Sequence, residues 1–232
     1  MIRRVGGAVL LAALLIGTIC CFFVGGETTI PVFGSVRSGS KTLVIDAGHG
    51  GEDGGAVSYS GEAESGINLA IARKLDQILG LYGEVPVLLR EDDRSLHDSG
   101  AKTLHEKKVS DLHNRVERIE SVEHAVLLSI HQNTYTDSRY HGAQTFYGTG
   151  EGSEMFATLT QSVLCQALDP SNNRQAKQIP ESVYLMKHIT CTAILVECGF
   201  LSNPEEDKRL QTEEYQRKIA SALAASWMQY IT

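Results

Sequence analysis

From residue 41 onward two patterns of apolar positions alternate. TLVIDAG (42–48), VPVLLR (85–90), AVLLSIH (125–131) and AILVECG (193–199) are short, nearly continuous apolar runs closed by polar or turn residues. Such runs mark strands buried on both faces. AQTFYG (143–148) reads as a more amphipathic strand. Between the strands, apolar residues return at helical spacing: Ile67, Ile71, Leu75, Ile78 and Leu79, then Val109, Leu112, Val116 and Ile119. Phe156, Leu159 and Val163 repeat the pattern, and Tyr215, Ile219, Leu223, Trp227 and Ile231 close the chain with it. Ser153 is the expected N-cap of the third helix, and Asn203 followed by Pro204 opens another. Residues 91–108 are polar and charged and predict a long loop. Strands alternating with helices predict an α/β fold, three layers αβα around a mostly parallel sheet, in one domain over residues 41–232.

The N-terminus breaks this pattern. Two arginines, Arg3 and Arg4, precede Val5–Val24, which carries no charged residue. As a helix that run spans about 30 Å, the thickness of a bilayer's hydrocarbon core. Residues 1–26 are therefore expected to be a membrane anchor, or a signal segment cleaved near Val24-Gly25-Gly26. The arginines on the cytoplasmic side put the remainder outside the cytoplasm. Residues 27–40, rich in Gly, Ser and Thr, read as a linker.

Charge narrows the partners. Without residues 1–26 the chain keeps 28 acidic residues, and its 21 basic ones fall by Arg3 and Arg4 to 19, a net charge of −9. A surface this acidic excludes nucleic acid as a natural ligand. Cys165, Cys191 and Cys198 stand in no metal-like spacing, and an odd number makes no complete disulfide framework.

The chemistry gathers where the strands end. Ligands of parallel sheets bind outside the carboxyl ends of the strands. There the sequence places Asp46 and His49, His131 and Asn133, and Glu197. Two histidines sharing zinc need a third ligand, and GEAESGINLAIA (61–72) offers Glu62 or Glu64. Three protein ligands leave a position for water, as in hydrolytic zinc sites, and no HExxH helix is present. IDAGHGGEDGG (45–55) surrounds His49 with glycines, each costing about 0.5–1 kcal/mol of ordering entropy, so the loop needs unusual backbone. Asp46 and Asp53 are candidates to orient a ligand histidine, or simply turn-forming residues. Lys102, Lys107, Lys108 and Arg115 read as a solvated face of the second helix, or as a clamp on carboxylates. His141, in the turn RYHGAQ, is the rival ligand.

VIDAGHGGEDGGA, GEAESGINLAIA, SIHQN and LVECGFLSN, in this order, resemble the type-3 family of zinc N-acetylmuramoyl-L-alanine amidases. The resemblance implies Zn²⁺ held by His49, Glu64 and His131, with Glu197 as the catalytic acid–base. Glu64 is preferred to Glu62 because it stands just ahead of the NLAIA helix start, although Ser65 replaces the family's usual lysine. VYLMKH shortly before LVECGFLSNPEE is similar to the spore-cortex amidases. These strip the peptide from muramic acid so that a deacetylase can form muramic-δ-lactam. The implied partners are peptidoglycan, the membrane through the N-terminal segment, and an accessory spore protein. The implied location is extracytoplasmic and associated with the forespore. Competing readings are a zinc peptidase of the stem peptide and a tethered wall-binding protein without catalysis.

Overall fold

The computed structural model describes residues 41–232. The expected anchor or signal segment (1–26) and linker (27–40) lie outside the described residues. Each β-branched run becomes a strand and each periodic run a helix. In chain order they are β1 (Thr42–Ala47), α1 (Glu64–Leu81), β2 (Val87–Leu88), α2 (Leu104–Glu120), β3 (Ala125–Asn133), β4 (Gln144–Tyr147), α3 (Ser153–Leu168), β5 (Lys177–Gln178), α4 (Tyr184–His188), β6 (Thr192–Phe200), α5 (Pro204–Leu210) and α6 (Glu213–Tyr230).

The six strands form one sheet in the order β2-β1-β3-β6-β4-β5. β2, β1, β3 and β6 run parallel. β4 is antiparallel to β6, and β5 follows β4 in parallel. The sheet is thus mostly parallel, as expected, with its two remaining strands reversed at one edge.

Alternation along the central strands divides the core in two. Leu43, Ile45, Val126, Leu128, Ile130, Ile194 and Val196 pack with α1, α3 and α6. Val44, Leu127, Ala193 and Leu195 pack on the other face with Ile119 of α2 and Leu185 and Met186 of α4. Both faces being covered explains why these strands read as unbroken apolar runs rather than alternating ones. All three strands that close on candidate chemistry are parallel, so their carboxyl ends meet at one rim.

The boundaries differ in instructive ways. VPVLLR pairs only through Val87 and Leu88. The predicted loop 91–108 ends early, because α2 begins at Leu104 behind a capping box of Thr103 and Glu106. Its first turn carries only Leu104 as an apolar residue, and that side chain is exposed, so no hydrophobic period announces the start. Ser153 does not cap α3. Gly152, at φ +80°, holds that position, and the Ser153 hydroxyl accepts the N–H of Ala193 at 2.9 Å. Asn203 caps α5 as expected, accepting the N–H groups of Glu205 and Glu206. Among the described residues no helix is long and apolar enough to cross a membrane.

Candidate active site

The turn leaving β1 brings His49 to the rim at φ +62°, a left-handed conformation costly for a side-chain-bearing residue. Two buried arginines hold it there. Arg90 donates to the carbonyls of Ala47 (2.9 Å) and Gly48 (3.1 Å). Arg115 donates to those of Ala47 (3.1 Å) and His49 (2.7 Å). Three consecutive carbonyls that no strand partner serves are thereby satisfied. The positive charge is balanced by Asp46 and Asp111, both in ion pairs with Arg115.

This corrects two expectations. Arg115 belongs to no solvated face, being 2% exposed beneath the candidate site. Asp46 orients no histidine, because its carboxylate is taken by Arg115 and the Ser129 hydroxyl. Asp53 does take the orienting position. Its Oδ2 accepts from His49 Nδ1 at 3.0 Å, which leaves Nε2 facing Glu64. Lys107 and Lys108 reach Glu52 and Asp53 on the same turn.

His49, Glu64 and His131 converge, each offering a donor atom within 4.8 Å of the others. Glu64, the first residue of α1, lies 3.3 Å from His49 Nε2 and 3.0 Å from His131 Nδ1. Its oxygens also accept the N–H groups of Ala56 and Gln132 and the amide of Asn68. Burial would raise the Glu64 carboxyl, but hydrogen bonds and charge from both imidazoles drive it far below the usual range. Burial would lower His49, and Glu64 and Asp53 outweigh it and raise it. Glu62 is exposed and takes no part in the cluster. His141 is exposed too, with Asp169 as its acidic neighbour at 3.9 Å.

Two glycines are dictated by crowding. A Cβ on Gly48 would meet three atoms of the His131 ring at under 3.0 Å, and one on Gly55 would meet Glu64 and His49 as closely. The two imidazole rings stand edge to face with centroids 5.0 Å apart. Gly48 and Gly55 thus let the backbone pass directly beside the donor side chains.

Glu197 is the register partner of His131 on the neighbouring strand, where β3 and β6 shift register. Its Oε2 is buried without a hydrogen-bond partner. Burial pushes the carboxyl up to about 7, with His131 opposing and the charge of Glu64 reinforcing. A buried orphan carboxylate oxygen beside two nitrogen donors and one oxygen donor fits a divalent cation and its water. Sequence pattern alone missed Arg90 and the Asn68–Gln132 pair (3.1 Å), which brace the cluster from beneath.

Comparison with known proteins agrees with this geometry. The Amidase_3 family model, N-acetylmuramoyl-L-alanine amidase, matches residues 43–227. The germination-specific N-acetylmuramoyl-L-alanine amidase of Bacillus subtilis (strain 168) is 35% identical over 199 residues, 85% of this chain and 83% of that protein. Among solved structures, the CwlD amidase of Clostridioides difficile in complex with the GerS lipoprotein superposes with a TM-score of 0.79 at 40% identity, covering 82% of this chain and 98% of that one. An N-acetylmuramoyl-L-alanine amidase from Clostridium difficile 630 gives 0.72 at 27% identity, covering 83% and 97%. With the match running through β1, α1, β3 and β6, the chain belongs to the N-acetylmuramoyl-L-alanine amidase family.

Proposed function

We propose that this chain is a zinc hydrolase that cuts the amide between the lactyl group of N-acetylmuramic acid and the L-alanine of the stem peptide. The observation that carries the reading is the convergence of His49, Glu64 and His131 beside the orphaned carboxylate of Glu197. Bound among the three donors, zinc would supply Lewis acidity, polarising the scissile carbonyl and bringing the pKa of a water toward ~7.

The chain's own residues do the rest. Asp53 fixes the tautomer of His49 so that Nε2 keeps its lone pair for the cation. Glu64 brings the negative charge, and its backbone and Asn68 donors fix its orientation. Glu197 accepts a proton at its unpartnered oxygen and returns it to the nitrogen of the departing L-alanine, so that the amine leaves neutral. Burial raises that carboxyl and so makes it a better proton acceptor than an exposed glutamate.

The biological setting proposed is spore-cortex maturation outside the cytoplasm, leading to muramic-δ-lactam. It is supported by the germination-specific relative and by the likeness to CwlD. That structure's lipoprotein supports an accessory partner here as well. Membrane attachment through residues 1–26 rests on the sequence pattern.

Digestion of purified peptidoglycan by the full chain, with the products weighed, tests the reaction. Released peptides beginning with L-alanine, with free lactyl carboxyls on the glycan, are expected. Products cut only within the stem peptide would overturn it.

A further inference from the structure

Beyond the reacting bond, we propose that Tyr135 and Tyr140 form a saccharide subsite, a platform for the C–H face of a pyranose ring in the glycan strand. The inference rests on the amidase reading, which puts a polysaccharide at this rim.

Both tyrosines lie on the connection from β3 to β4. Tyr135 is 53% exposed and Tyr140 44%, although the rings already touch, centroids 4.5 Å apart and tilted by 54°. Phe200, three residues beyond Glu197 on β6, backs Tyr140 at 6.2 Å. The guanidinium of Arg174 sits 5.0 Å from the Phe200 ring and 5.9 Å from that of Tyr140.

The exposure is built rather than incidental. The Tyr135 N–H donates to the Ser202 hydroxyl at 3.0 Å, and Asn203 donates to the Ser138 carbonyl at 2.9 Å. The Gly142 N–H donates to the buried carboxylate of Glu206, which also accepts the Phe200 N–H. Leu201 donates to the Asn133 carbonyl at 2.7 Å. A connection fastened at both ends and in the middle, to the turn and helix that directly follow the strand carrying Glu197, holds two aromatic rings in water. Held exposed aromatic surface of this kind is characteristic of recognition.

Position names the occupant. Across the rim the sheet presents β1, β3, β6 and β4 in turn, carrying His49, His131 and Glu197 and then this connection. Neighbouring strands are about 4.8 Å apart, so an extended polymer crossing them would travel about 14 Å from β1 to β4. The basic side chains Lys107 and Lys108 lie at the opposite, β1 side, near Glu52 and Asp53. That side is charged, each lysine already paired with an acid, and the largely uncharged sugar faces are suited to the aromatic one.

The test uses the full chain and peptide-free glycan strands, read by binding and by tyrosine nitration rather than by amide cleavage. The parent chain should bind the strands, and the strands should protect Tyr135 and Tyr140 from tetranitromethane. Tyr135→Ala with Tyr140→Ala should weaken binding about tenfold, whereas Tyr135→Phe should retain it. Unchanged binding in the double variant, absence of binding by the parent, or protection by free stem peptide in place of glycan would each overturn the subsite. Because no bond is cut in this assay, its failure is separate from a failure of the amidase reaction. The nitration arm needs no variant and stands even where one folds poorly.

Discussion

The Arg115 guanidinium donates to the main-chain carbonyl of His49 at 2.7 Å, tying a residue in left-handed backbone to a buried ion-pair network. The strain of that turn is offset here, by groups that bond the main chain of His49 and none of the three donor side chains. Arg115→Met would leave Asp46 buried without its partner, a loss of about 3–5 kcal/mol. Denaturant unfolding should report that loss. Zinc affinity should fall by about 10–100-fold as the His49 turn relaxes. Unchanged stability and metal affinity would mean that the turn holds itself.

Gly48 offers a more local perturbation. Its φ lies outside the left-handed range, so Gly48→Ala acts through the added methyl alone, which meets the His131 ring. The expected cost is about 1–3 kcal/mol, as for an overpacked core position. The imidazole must swing away, so metal content should drop out of proportion to the melting temperature. Zinc analysis of the purified variant reads this directly. Full occupancy would show that the ring has room to yield.

Particular residues show what the sequence made legible. The strands that lead to His49 and carry His131 and Glu197 were readable because burial on both faces leaves uninterrupted apolar runs, and parallel pairing then puts their ends at one rim. Spacing alone did not separate Glu62 from Glu64. The family resemblance pointed to Glu64, and the start of α1 gives the physical reason, aiming Glu64 inward and leaving Glu62 in solvent. Arg90 and Arg115 were illegible for a different reason. An arginine buried by pairing with residues 43 to 69 positions away looks, in sequence, like any surface arginine. The reversed β4 was equally hidden, since an amphipathic strand carries no signal of its direction.

Acid should reach the same network. Burial would raise the Asp46 carboxyl, but the charge of Arg115 and its hydrogen bonds to Ser129 and Arg115 bring it below the ordinary value. A carboxyl depressed in the folded state adds stability above its unfolded value of about 3.9, and that stability is lost as pH falls through the folded one. Unfolding free energy should therefore decline below about pH 4 in the parent chain. Asp46→Asn should start from lower stability and decline less steeply. An equally steep acid limb in that variant would assign the loss to other carboxylates.

Cys191 and Cys198 should be chemically quiet. Burial pushes the Cys191 thiol up to about 11, and that of Cys198, fully buried, is raised as well. About one Cys191 in a thousand is then thiolate at pH 8, too little for rapid alkylation. Mass spectrometry after iodoacetamide treatment of the folded chain should find Cys191 and Cys198 largely unmodified until denaturant is added. Rapid labelling of Cys198 in the native state would contradict its burial.

Binding and proton transfer separate at Glu197 and His131. If His49, Glu64 and His131 hold the cation, zinc at about 100 times its dissociation constant should stabilise the fold by about 2.7 kcal/mol. Glu197→Gln keeps those donors and should keep that gain. It removes the group that carries the proton, so amide hydrolysis should fall by about 10²–10⁴. His131→Ala should lose the zinc-dependent stabilisation and the hydrolysis together. Thermal unfolding with and without zinc, alongside peptidoglycan digestion, distinguishes the two variants. A Glu197→Gln protein that loses its zinc response would make Glu197 a ligand, and one that retains full turnover would leave the proton to another group.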